Sequence, residues 1–190
     1  MNQHLKEYLA WYSENKAFYE QLKSHQSMIY MRIYPVYDVL LYLYQEYKDE
    51  TNINEDIDKI IQVGLEYLHQ QIFTCKIYYE KFFDKDMHAF LEYDQVINYL
   101  LFIEDLKYDL VEKGFEYDQE ALDEIIEELE SYIENKKEIP DNFNLYLDKR
   151  LSEIISIDDQ IHSIIDIFVE IASTLGIDLD EEEVVIGKEI

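Results

Sequence analysis

Apolar residues recur every three or four positions along most of the chain, the spacing that places them on one face of an α-helix. The clearest stripe predicts a helix over residues 55–82, and it consists of Ile57, Ile61, Gly64, Leu68, Ile72, Cys75, Tyr79 and Phe82. Similar stripes predict helices over residues 3–23, 28–47, 87–113, 118–135 and 141–175. In the 87–113 helix, the inner face is expected to carry Phe90, Ile97, Leu101, Tyr108 and Val111.

The scarcity of turn residues supports an all-helical interpretation. The chain has only four glycines and two prolines, whereas a protein built from sheets needs turn residues every few positions. Asp86 (or Asp84) and Asp118 precede predicted helices as N-caps, and Gly114 follows one as a C-terminal cap. We therefore predict the all-α class, as an antiparallel up-and-down bundle of six or seven helices with no sheet. Residues 1–176 are expected to form a single domain, with residues 177–190 as an acidic tail.

The net charge is −27, because 43 Asp and Glu residues stand against only 16 Lys and Arg residues. An apolar fraction of 48 % nevertheless indicates a folded protein rather than a disordered one. A surface this negative repels nucleic acid and anionic lipid, so we expect neither as a partner. The N-terminus has no apolar signal core, and the chain has one cysteine, Cys75. These features favour a cytoplasmic protein. We expect it to be of bacterial type.

Acidic residues are concentrated on the fifth predicted helix and its approach, where no basic residue interrupts them. Like charges one turn apart cost about 0.2–0.5 kcal/mol per pair, so the concentration is unfavourable for an isolated helix. Two interpretations stay open: a solvated face that keeps the protein soluble, or a docking surface for a basic partner. The candidate partner-binding residues are Glu116, Asp118, Glu120, Asp123, Glu124, Glu127, Glu128, Glu130, Tyr132 and Glu134.

Tyrosine is the second unusual residue type, with 18 copies in the chain. Several of them do not fit a single buried stripe, and partly exposed tyrosines beside carboxylates form a rigid contact surface for a cationic partner. The alternative is that tyrosine replaces phenylalanine at the edge of the core, with its hydroxyl group in water. The second explanation accounts for most of the tyrosines, but not for all.

A metal site is the alternative chemistry. Glu66 and His69 are three residues apart, as are Asp159 and His162, and helical bundles with two metal ions use this spacing to direct both side chains to one face. Composition alone gives about one such spacing, so the motif is weak. No catalytic motif and no cofactor motif is present in the sequence. We assign no catalytic residue, and we expect no cofactor.

These observations favour a non-enzymatic acidic helical protein that binds a basic protein. Proteins that neutralise a basic toxin, as immunity proteins do, or that mimic nucleic acid would use such a surface. A metal-binding helical bundle, enzymatic or for storage, is one alternative. A self-associating structural protein, with a homodimer through the N-terminal helices, is another.

Overall fold

A computed structural model describes residues 1–114 and 117–154. All regular secondary structure in this part of the chain is helical, and it contains no strand. The all-α prediction is confirmed. The seven helices are α1 (Gln3–Ser24), α2 (Met28–Tyr47), α3 (Glu55–Phe83), α4 (Met87–Glu92), α5 (Asp94–Lys113), α6 (Gln119–Glu134) and α7 (Phe143–Ile154). The part of the predicted 141–175 helix beyond residue 154 and the acidic tail over 177–190 lie outside the described residues.

Short polar side chains begin four of these helices. The Asn2 side chain accepts hydrogen bonds from the backbone N–H groups of the first turn of α1, and Ser27 does the same for α2. Asp86 and Asp118 cap α4 and α6, which confirms the predictions made for them. Gly114 ends α5 with a φ of +69°, a left-handed conformation that glycine adopts without steric cost.

The prediction of one continuous helix over residues 87–113 is wrong, because the helix is interrupted at Tyr93, between α4 and α5. Tyr93 has φ −107° and ψ 20°, and its N–H group donates to the Phe90 carbonyl group at 3.1 Å. Both aromatic rings pack against Phe83, at centroid distances of 5.4 Å for Phe90 and 5.7 Å for Tyr93. Neither proline nor glycine marks the break, so the spacing of apolar residues does not reveal it.

Two compact units divide the described residues. The first comprises residues 1–76 and contains α1, α2 and most of α3. Helices α1 and α2 are antiparallel, because Tyr8 contacts Tyr44 while Tyr19 contacts Tyr30. Helix α3 runs in the direction of α1, since His4 bonds Asp58 and Asn15 bonds Lys76.

The core of the first unit is rich in aromatic residues. Trp11, Tyr8 and Tyr19 are among its largest fully buried side chains. The rings of Tyr19 and Tyr37 stack at a centroid distance of 4.2 Å. Most of the surrounding core is aliphatic and comes from Leu5, Leu22, Ile29, Ile33, Val36, Val39, Leu40, Leu43, Ile61 and Leu68.

The second unit comprises the described residues from 77 to 154, with the end of α3 and all of α4 to α7. Here α6 is antiparallel to α5, and the Lys107–Asp123 ion pair joins the two helices. Helix α7 is antiparallel to α6, because Tyr146 bonds Glu128 while Arg150 pairs with Glu124. Phe143 at the start of α7 is buried between Tyr99 of α5 and Tyr132 of α6. Helix α6 is therefore flanked by α5 and α7, and its acidic side faces outward.

Candidate functional site

The inner face of α6 fixes the direction of its acidic side chains. Leu122, Ile125 and Leu129 are fully buried, and Ile133 nearly so. These residues follow the helical repeat, which leaves the acidic positions on the opposite side. All of the predicted partner-binding residues except Glu116 thus lie on α6 or its N-cap, Asp118. Glu116 lies outside the described residues.

On one flank, lysines from other helices bind acidic residues of α6. The ammonium group of Lys107, on α5, bonds the Asp123 carboxylate, and Nζ of Lys81, on α3, lies 2.8 Å from Glu130 Oε1. The hydrogen bond to Asp123 and its negative charge raise the pKa of Lys107. Both acidic side chains are therefore partly neutralised by cations that are distant in sequence.

On the other flank, α7 supplies an arginine and a tyrosine. Arg150 Nη2 lies 3.3 Å from Glu124 Oε2, and its Nη1 donates to the Tyr146 hydroxyl oxygen at 2.9 Å. The Tyr146 hydroxyl group in turn donates to Glu128 Oε2 at 2.9 Å. Partial burial, and then the Glu128 carboxylate, raise the pKa of Tyr146. The guanidinium group also lies 5.9 Å from the centre of the Tyr146 ring, within the range of a cation–π interaction.

Between the two flanks lies an outward ridge, which we define as Glu120, Glu127 and Glu134. All three side chains are exposed, and within residues 1–114 and 117–154 none of them binds a cation. They are spaced seven residues apart, so the ridge extends along α6 for about 21 Å at 1.5 Å per residue. This ridge is the part of the acidic helix whose charge remains uncompensated.

Tyr132 supports the fold of the site more than its surface. Its half-buried ring meets the Phe143 ring edge-on, with centroids 5.7 Å apart. Partial burial, followed by the nearby Glu128 carboxylate, raises the pKa of Tyr132. The predicted contact residue therefore holds α7 against α6.

The residues that sequence reasoning missed are Lys81, Lys107, Tyr146 and Arg150. These four side chains bind acidic residues on both flanks of α6. Spacing within α6 carries no sign of them, since they come from three other helices. The available signal in the sequence was the presence of Lys and Arg residues on the other predicted helices.

Only two of the four residues of the alternative metal site, Glu66 and His69, lie in the described part of the chain. Glu66 is exposed and accepts a hydrogen bond from Gln62 at 3.0 Å. His69 is also exposed, and its ring packs edge-on against Trp11 at 6.4 Å. Asp159 and His162 lie outside the described residues. Among residues 1–114 and 117–154, no three His, Cys, Asp or Glu side chains cluster as a metal ion would require.

Comparison with known proteins gives no relative for this chain: no family model, no curated protein and no solved structure matches it. In the described part of the chain, every helix is too short or too polar to cross a bilayer.

Proposed function

We propose that this protein binds a basic protein through α6 and does not act as an enzyme. The observation that carries the proposal is the uncompensated ridge of Glu120, Glu127 and Glu134 between two flanks of paired charges. A helix that needed its carboxylates only for internal ion pairs would not need three more on its outward face. The mechanism is electrostatic attraction, which steers a cationic protein to the acidic surface and raises the association rate.

The flank formed by α7 supports this mechanism, because it displays the chemistry that a partner's arginine would use. Arg150 is held by a Glu124 carboxylate, a Tyr146 hydroxyl group and the face of the Tyr146 ring. Carboxylates and tyrosines on the same surface thus bind a guanidinium group within this chain. A basic toxin or nuclease, whose nucleic-acid groove is cationic, is the class of partner that fits. We place this interaction in the cytoplasm, as the sequence favours.

The test is a pull-down at low salt from a lysate of the source organism, with three proteins compared as baits. The first is the unchanged chain, and the second carries the ridge substitutions Glu120→Gln, Glu127→Gln and Glu134→Gln. The third is a matched control that removes the same charge elsewhere, from the exposed Glu14, Glu20 and Glu46 of α1 and α2. We expect a basic protein to be recovered with the first and third baits and to be depleted with the second.

The salt dependence of the purified complex completes the test. Because the Debye length falls from about 10 Å at 0.1 M salt to about 3 Å at 1 M, we expect the association rate to fall at least about tenfold between low and high salt. Equal recovery with all three baits, or an association rate that salt does not change, would contradict the proposal.

A further inference from the structure

A guanidinium group of this chain is bound on the acidic helix, at the flank formed by α7. Arg150 Nη2 lies 3.3 Å from Glu124 Oε2, and Arg150 Nη1 donates to the Tyr146 hydroxyl oxygen at 2.9 Å. Two nitrogens of one planar group thus reach two different acceptors. The same group lies 5.9 Å from the centre of the Tyr146 ring, so the ring adds a cation–π interaction.

Glu128 prepares the Tyr146 hydroxyl group to act as an acceptor. A tyrosine hydroxyl group has one hydrogen, and here it is donated to Glu128 Oε2 at 2.9 Å. The lone pairs of the hydroxyl oxygen are therefore left for the guanidinium group, and the bond to the carboxylate makes that oxygen a stronger acceptor. We name Glu124, Glu128 and Tyr146 the guanidinium clamp.

The guanidinium clamp suits an arginine better than a lysine. Arginine presents its N–H groups in a rigid planar fork, whereas the lysine ammonium group is a point charge. A lysine could pair with the Glu124 carboxylate, but one nitrogen would replace the two that reach acceptors on α6 and α7. The clamp therefore distinguishes the two cations by shape, while the ridge of α6 attracts both of them by charge.

The contact that holds Arg150 is weak enough to be exchanged. The Glu124 side chain is 64 % accessible to solvent, and the distance of 3.3 Å exceeds the roughly 2.7–2.9 Å of a strong charge-assisted hydrogen bond. Exposed ion pairs of this kind contribute little to stability. A guanidinium group from another protein can therefore replace that of Arg150 at little cost to the fold.

The remaining charges of α7 balance one another. This helix carries two carboxylates, on Asp148 and Glu153, and two cations, Lys149 and Arg150. The negative field at the clamp thus comes from α6. When a partner's arginine enters the clamp, Arg150 is displaced toward solvent and keeps its charge.

We infer that the guanidinium clamp is the arginine-selective part of the interface, and that Arg150 occupies it until an arginine of the basic partner takes its place. This inference rests on the proposed function, and it adds which cation of the partner the surface prefers. Arg150 is thereby an internal competitor, so the free chain binds an arginine less tightly than the clamp allows.

The experiment uses two flexible synthetic peptides of Gly and Ser, one with Arg and the other with Lys at the same positions. Binding of each peptide is measured at low salt to the unchanged chain and to four variants. Arg150→Gln empties the clamp, and Arg150→Gln/Tyr146→Phe also removes the hydroxyl acceptor while keeping the ring. Lys149→Gln is the matched control, because it removes the same charge from the adjacent, exposed residue of α7. The fourth variant is the ridge substitution defined above.

The measured quantity is the ratio of the affinities for the Arg and Lys peptides, since loss of any cation makes the surface more attractive to both. We expect Arg150→Gln to raise this ratio about two- to tenfold above that of Lys149→Gln, as one additional hydrogen bond implies. Tyr146→Phe in the same background should remove most of the rise. Circular dichroism and thermal unfolding verify that the variants are folded. If Arg150→Gln is not, Arg150→Lys replaces it, with a rise in the same direction.

Two results overturn the inference alone. They are an equal ratio for Arg150→Gln and Lys149→Gln, and a raised ratio that Tyr146→Phe leaves unchanged. In either case the proposed function survives if the ridge substitution still weakens both peptides. If neither peptide binds the unchanged chain or any variant, the inference and the proposed function both fail.

Discussion

The side-chain oxygen of Asn15, on α1, accepts a hydrogen bond of 2.6 Å from Nζ of Lys76, on α3. Asn15 is buried, and its amide nitrogen donates to the Trp11 carbonyl oxygen at 2.8 Å. One amide group thus satisfies its own helix and also fixes the position of a neighbouring cation. This bond joins α1 to α3 about three helical turns along α1 from the contact of His4 with Asp58.

Substitution of Asn15 should therefore destabilise the first unit. Asn15→Ala removes the acceptor of a charged, partly buried ammonium group, and we expect a loss of about 1–3 kcal/mol in the free energy of unfolding. The exposed Ser13, on the same helix, provides the control, and Ser13→Ala should change that free energy by less than about 0.5 kcal/mol. Denaturant unfolding measures both values. A loss no larger for Asn15→Ala than for the control would contradict this assignment.

The ion pair of Lys107 with Asp123 should contribute a small, salt-sensitive coupling. Both side chains are partly exposed, so a double-mutant cycle with Lys107→Gln and Asp123→Asn should give about 0.2–1 kcal/mol. Lys107→Gln should cost more than Asp123→Asn, because it removes one of few cations from a strongly acidic protein. Unfolding with and without high salt measures the coupling, which salt should reduce. Equal costs for the two single substitutions would argue against the charge explanation.

Truncation of a side chain should lower stability much more on the inner side of α6 than on its outer side. Leu129 is fully buried, and Leu129→Ala should lower the free energy of unfolding by about 2–5 kcal/mol through lost burial and the cavity that remains. Glu127 belongs to the exposed ridge, and Glu127→Ala should change stability by less than about 0.5 kcal/mol. Thermal and denaturant unfolding distinguish these cases. A large loss for Glu127→Ala would mean that the ridge serves the fold rather than a partner.

Alkaline pH should unfold the first unit through its buried tyrosines. Burial, first among several causes, raises the pKa of Tyr8, Tyr19 and Tyr37 well above the ordinary value. The folded state therefore favours their neutral forms. The buried neutral tyrosines therefore stabilise the folded state fully below pH about 10, the pKa of an unfolded tyrosine. This stabilisation is lost as the pH rises further.

Tyrosinate absorbance and circular dichroism, followed together, test this prediction. We expect part of the tyrosine ionisation to occur only with the loss of helical structure. Tyr19→Phe should move that transition to higher pH by a fraction of a unit, whereas Tyr42→Phe, at a side chain that is 38 % accessible, should not. Ionisation of every tyrosine while the helices remain intact would show that the raised pKa values are wrong.

The helices of the first unit were predictable to within one residue at their ends, because turns and capping residues lie between them. Ser27 caps α2 with its side chain, and Asn54 Oδ1 accepts from the Asp56 N–H group beside the start of α3. The break at Tyr93 was not predictable, since it accompanies contacts of Phe90 and Tyr93 with Phe83 of another helix. Tyr108 and Val111 were predicted to lie on the inner face of their helix, yet 51 % of Tyr108 and 63 % of Val111 is accessible to solvent. The reason is similar: periodicity marks an apolar face but does not reveal where its cover ends.

The acidic residues of α6 could be identified from composition, but their environment could not. Glu124 and Glu127 are equivalent in sequence, yet Arg150 binds the first, while the second has no cation among the described residues. The difference arises from the placement of α7, which charge patterns do not encode. The single-domain boundary at residue 176 and the choice of partner stay predictions.

The field that α6 presents to solvent is controlled by three side chains that are not on α6. Lys81, Lys107 and Arg150 each withdraw one carboxylate from the total. Loss of any one of them, by substitution or by acylation of a lysine, would make the helix more negative without altering its own sequence. Residues on α3, α5 and α7, distant from α6 in sequence but in contact with it, therefore set how strongly this surface attracts a cation.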